Sequence, residues 1–200
     1  MRFVPIVFAC ALSCASLPLA ANDYKVGDHL VKPGTAPGAD AKYKPTDWDA
    51  LVPKGWDPMK DFKDANFGLM QDGDPRAQEF LIKLQDVWEK APVEPSLDGA
   101  RVRIAGFIVP LESAKGKVSE FLLVPYFGAC IHVPPPPANQ IIHVTPDKPL
   151  EGSRMMDAVW VNGVLHTIRS TNRAGMGMAS AGYTMSAQSI EPYKEEPRKK

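Results

Sequence analysis

Proline occupies 20 of the 200 positions, and that load decides against a helical bundle before any pattern is read. Each proline removes a backbone donor and, inside a helix, clashes with the preceding turn. Regular structure is confined to the stretches between prolines. One of those stretches is helical: Asp74 suits an N-cap and Pro75 the first helical position. Ala77, Phe80, Leu81, Leu84, Val87, Trp88 and Ala91 then recur at helical spacing, and Arg76, Glu79, Lys83, Gln85, Asp86 and Glu89 fill the other face. The spacing predicts one amphipathic packing helix within residues 75–91, stopped by Pro92.

Beyond Leu97 the period shortens. Residues 101–111, 118–127, 140–144, 158–167 and 181–193 read as five short strands. Gly106 marks a bulge or a close backbone approach in the first. Asn162-Gly163 is a hairpin signal, but arms of three residues make a poor isolated pair, so one bent strand is preferred. The connection 145–157 leaves little room for a helix. The chain is therefore read as mainly β, a small five-stranded OB-like barrel over residues 96–193, with the preceding helix placed to plug one end.

Residues 22–74 sustain no period and read either as an extended N-terminal arm, pinned by Tyr24, Tyr43, Trp48, Trp56, Phe62 and Phe67, or equally as a flexible linker. Within it Thr46 or Asp47 caps a single helical turn before Pro53, with Trp48, Leu51 and Val52 on one side. His29 falls in this arm as a solvated residue. Residues 194–200 form a charged tail.

The first 21 residues have the layout of a secretory signal peptide: Arg2, an apolar run from Phe3 to about Leu12, small residues, then polar Asn22-Asp23. A rival reading makes Ala11-Leu12-Ser13-Cys14 a lipobox with Cys14 lipidated. No run is long enough for a transmembrane helix, so the expected location is the periplasm. Loss of Arg2 leaves 22 basic against 23 acidic residues. That balance argues against nucleic acid as a partner, since duplex affinity rests on Lys and Arg neutralising phosphates. Signal cleavage also leaves Cys130 as the sole cysteine, a free thiol in an oxidising compartment.

Cys130 anchors the candidate site. Cys130 and His132 are two apart, so on extended backbone they share a side, with Cα atoms roughly 6.5–7 Å apart. Thiolate and imidazole together suit zinc, at bond lengths of about 2.3 and 2.0–2.1 Å. His143 lies within reach once the chain turns back across Pro134–Pro137, a stiff polyproline segment. Cys130, His132 and His143 are the expected metal ligands; His166 and then Glu120 rank below them. Asn139 and Gln140 supply amides that orient an imidazole. Copper is the second choice of metal, with Met155, Met156, Met176, Met178 and Met185 as thioether sources, although methionine more often fills cores. No CxxC pair, serine elbow, phosphate loop or HExxH helix is present. An enzyme, such as one using Cys130 as a thiol nucleophile, is the minority reading.

The run VSEFLLVPYFGACIHVPPPPANQ, residues 118–140, resembles the signature of a family of exported Gram-negative proteins known as a domain of unknown function. RVRIAGFIVPLE (101–112), WDALVP (48–53), 159–163 and 182–193 resemble further pieces, so the likeness covers most of residues 46–193. The resemblance implies, for some relatives, a genomic setting beside exporter-type ABC transporters in zinc-responsive gene clusters. The resemblance implies a periplasmic accessory in metal homeostasis, a carrier or chaperone with an inner-membrane ABC transporter as partner. The alternative is a metal-independent interaction module that docks such a transporter.

Overall fold

Strand β2 (Arg101–Ala114) is long enough to serve two neighbours, and it closes the sheet on itself. The computed structural model describes residues 24–30, 42–62, 75–114, 116–130, 135–174 and 177–193. The signal peptide, Asp74, His132, Pro134 and the tail lie outside them. The N-terminal half of β2 runs antiparallel to β6 (Ala158–His166), and its C-terminal half runs antiparallel to β3 (Lys117–Val124). Strand β3 pairs with β4 (Ile142–Pro146), β4 runs parallel to β9 (Tyr183–Pro192), and β9 returns antiparallel to β6. The ring β2–β3–β4–β9–β6 is the expected five-stranded OB-like barrel. Two two-residue strands extend it: β1 (Lys44–Pro45) beside β2, and β5 (Leu150–Glu151) beside β3.

Glycine makes the closure possible. A Cβ on Gly106 would stand 2.7 Å from Leu123 Cγ and 2.9 Å from the Val124 carbonyl oxygen, and one on Gly163 would stand 2.6 Å from the Ser186 carbonyl oxygen. Gly163 lies at a register shift inside β6, which runs on as one bent strand. Inside the barrel Val102, Ile104, Ile108, Phe121, Leu123, Ile142, Val144, Val161, Leu165, Tyr183 and Met185 form the main core.

The arm, not the helix, supplies buried packing at the barrel end. Leu51, in a 3-10 turn over Trp48–Leu51, is 0% exposed within the barrel core. The Trp48 indole donates to the Ala105 carbonyl at 2.7 Å, and Gln140 Nε2 donates to the Trp48 carbonyl at 2.9 Å. The Tyr183 hydroxyl donates to the Leu51 carbonyl and accepts from the Glu94 N–H, both at 2.6 Å. Tyr183→Phe strands both backbone groups, so a loss of about 1–3 kcal/mol is expected in urea unfolding. Helix α1 (Pro75–Glu89) forms as predicted but buries none of its residues fully. Its plug role is not realised; Arg169 instead ties its C-terminal end by donating to the Glu89 and Ala91 carbonyls. Its Phe80 ring meets Phe62 edge-on at 5.0 Å.

Two further strands, β7 (Ser170–Ala174) and β8 (Gly177–Ala181), pair as a separate hairpin between β6 and β9. Ala179 and Ala181 join a second apolar layer on the outside of β2 and β3, made with Phe107, Val109, Leu122, Val124, Ala129, Cys130, Ile141 and Met156. Residues 24–30 lie across this layer as a strap. Gly27 N–H donates to the Phe127 carbonyl and Phe127 N–H to the Asp28 carbonyl, both at 2.9 Å. Tyr24 meets Phe107 edge-on at 5.1 Å.

Candidate functional site

Cys130 sits in a turn that follows β3, not on extended backbone. Its φ is +64°, close behind Gly128 at +86°, so strand alternation does not govern where its side chain points. The expectation of a shared strand face for Cys130 and His132 depends on that alternation; the backbone at Cys130 is folded into a left-handed turn instead. His132 lies outside the described residues. Cys130 is 1% exposed within the outer apolar layer, and burial pushes its thiol up to about 12.

Among the described residues, the only other non-glycine with left-handed backbone is Met156, at φ +66°. It belongs to the same layer, and its Sδ accepts the Gly128 N–H at 3.3 Å. These two strained residues are therefore both sulfur-bearing, and they share one layer. Left-handed backbone costs a residue with a Cβ about 1–2 kcal/mol, and such strain gathers at functional sites. Of the other methionines, Met185 is buried inside the barrel and Met155 is exposed.

His143 projects from the outer side of β4, since its neighbours Ile142 and Val144 point into the barrel. Its register partner on β3 is Leu122, a member of the layer that holds Cys130. The imidazole Nε2 lies 3.0 Å from Glu120 Oε2, and Nδ1 lies 3.2 Å from Ser170 Oγ. A carboxylate only accepts, so Nε2 donates to Glu120, and in the neutral ring the Nδ1 lone pair takes the Ser170 hydroxyl. Metal-ligating histidines are held this way, one nitrogen on a carboxylate and the other free for the ion. The His143 side chain is 16% exposed and Glu120 40%.

His166, on the outer side of β6, has Nδ1 3.6 Å from Asp98 Oδ1. The Thr167 N–H donates to that same Asp98 oxygen at 2.9 Å, and this bond chiefly, with the nearby imidazole, holds the Asp98 carboxyl below its usual range. Asn139 and Gln140 turn away from imidazoles: Asn139 Nδ2 donates to the Pro92 carbonyl at 2.9 Å and Gln140 serves Trp48. His29 is exposed and its ring lies 5.4 Å from that of Tyr126. Among the described residues no three His, Cys, Asp or Glu side chains stand together as a ready metal-binding group. No described helix is long and apolar enough to cross a membrane.

Sequence alone ranks Glu120 low and does not single out Ser170. Ser170 lies in β7, a hairpin strand whose polar residues 170–173 show no apolar alternation. Glu120 carries a weak signal, a polar residue in the outward phase of a strand whose next outward position is Leu122.

No curated protein matches the chain. A crystal structure of a DUF3299 family protein from Pseudomonas aeruginosa is similar to it, with 34% identity and a TM-score of 0.57, covering 78% of this chain and 99% of that one. The model of the DUF3299 family, proteins of unknown function, matches residues 48–192. That span takes in the 3-10 turn that fills the barrel end, the barrel itself and the residues Cys130, His143 and His166, and the chain belongs to the DUF3299 family.

Proposed function

We propose that the protein is a periplasmic zinc-binding accessory or trafficking protein of metal homeostasis, with Cys130, His132 and His143 as ligands. The observation that supports this reading most is the pair of left-handed residues Cys130 and Met156 in one layer; Leu122 of that layer is the register partner of His143, whose Nε2 is held by Glu120. The thiol is neutral in the apolar layer, so zinc must displace its proton, and affinity rises with pH. Ligation by three residues leaves a fourth position open for water or for transfer to a partner. The Met156 thioether makes Cu(I) the second candidate cargo. Calorimetric titration of the processed protein with zinc is expected to show one site, and Cys130→Ser to weaken it at least a hundredfold. Unchanged affinity rejects the ligand assignment.

One observation favours a second reading, an envelope interaction module accessory to an ABC-type transporter and independent of metal. Cys130 is sealed, with residues 24–30 strapped over the neighbouring 126–128 segment. Crosslinked capture of an inner-membrane transporter that survives chelation and Cys130→Ser supports the module; capture abolished by chelator supports the zinc reading.

A further inference from the structure

The barrel registers place His143 and His166 in one row. On the β4–β9 pair His143 stands opposite Thr184, and on the β9–β6 pair Thr184 stands opposite His166. The buried neighbours Tyr183, Met185 and Leu165 point into the barrel, so all three row members lie on its outer side. Two inter-strand spacings of about 4.8 Å set the two histidine Cα atoms roughly 10 Å apart. Each imidazole has a carboxylate of its own. Glu120, on the far side of His143 from Thr184, holds Nε2 at 3.0 Å; Asp98 lies 3.6 Å from His166 Nδ1. His143 Nδ1 and His166 Nε2 are the nitrogens left for a ligand. Nδ1 takes the Ser170 hydroxyl at 3.2 Å; His166 Nε2 has no partner among the described residues.

We infer that His166 is a ligand of the same divalent metal as His143, bound over Thr184 on the outer face of the barrel, with Glu120 and Asp98 as the residues that position the two rings. This rests on the zinc reading of His143 and adds a residue to it. Zinc–nitrogen bonds of about 2.0–2.1 Å let one ion take an imidazole from each side of Thr184. The Glu120 hydrogen bond fixes which His143 nitrogen faces the ion, and Asp98, 3.6 Å from Nδ1 of His166, favours the His166 ring with that nitrogen toward it. His166 takes the position that the zinc reading leaves open, and water or a partner's ligand exchanges with it there. Ser170 competes with the metal for Nδ1, so its loss favours binding.

The test is a titration of the processed full-length protein with zinc chloride, read by calorimetry and by nitrogen chemical shifts of the histidine side chains. Expected are a weakening of at least tenfold in His166→Gln and in His143→Ala, an unchanged or tighter site in Ser170→Ala, and joint movement of the His143 and His166 resonances with those of His29 unmoved. The wild-type shifts decide between the outcomes even where a variant folds poorly. If zinc binds, responds to Cys130→Ser or His143→Ala, and leaves both His166→Gln affinity and the His166 resonances unchanged, this inference is overturned and the zinc reading stands. If the wild-type protein binds no zinc, the zinc reading itself fails. Cobalt in place of zinc gives an independent measure, since thiolate-to-cobalt charge transfer appears only if Cys130 is bound.

Discussion

Leu51→Ala is expected to lower the unfolding free energy by about 2–5 kcal/mol, the range for truncating a fully buried leucine. Leu51 belongs to the arm by sequence and to the barrel by packing: it is 0% exposed and contributes to the main core. Its own carbonyl holds the Tyr183 hydroxyl at 2.6 Å. The surrounding strands are fixed by ladders on both sides, so the barrel end cannot collapse onto the vacated space, and the cost falls toward the upper part of that range. Urea unfolding measures it as a lower midpoint with an unchanged slope. Leu81→Ala, on the exposed side of helix α1, is the matched control and should move stability by no more than about 0.5 kcal/mol. A loss at Leu51 no larger than that of the control would show that Leu51 does not carry core packing.

That contrast marks where the sequence is legible. Apolar alternation locates the five barrel strands, because residues such as Val102, Ile104 and Val161 must point inward for the ring to have a core. Gly106 and Gly163 also carry a readable signal, since only a missing Cβ permits the approaches made to Val124 and Ser186. The helix has the cleanest periodicity in the chain, yet periodicity reports an apolar face and says nothing of what covers it. The hairpin β7–β8 gives little signal because the side chains it adds to the outer layer are small, Ala179 and Ala181. At the site, residue type points to Cys130 and His143. The left-handed turn at Cys130 and the row through Thr184 are products of chain closure, and no local spacing encodes them.

The same burial that gives Cys130 its place in the outer layer makes the fold sensitive to alkali. The thiol is pushed up from 9.0 to about 12 in the folded protein. A raised folded-state value means that stability from the neutral thiol is fully present below about pH 9 and is lost as pH rises toward 12. The loss runs at about 1.4 kcal/mol per pH unit across that window, so the total is on the order of 4 kcal/mol. Tyr126 and Tyr183 are also raised by desolvation and add losses of the same sign at higher pH. Cys130→Ala isolates the thiol. Urea midpoints taken from pH 7 to about 11 should fall more steeply for the wild type than for the variant, with the curves parallel below about pH 8. Zinc changes the prediction in a defined direction. A metal-bound thiolate has already lost its proton, so under saturating zinc the wild-type midpoint should rise with pH while the unfolded thiol is still protonated and then run parallel to that of Cys130→Ala, without the steep alkaline fall. A wild-type curve still steep under saturating zinc would mean that the sulfur keeps its proton in the bound state, and the metal would then be held by imidazoles alone.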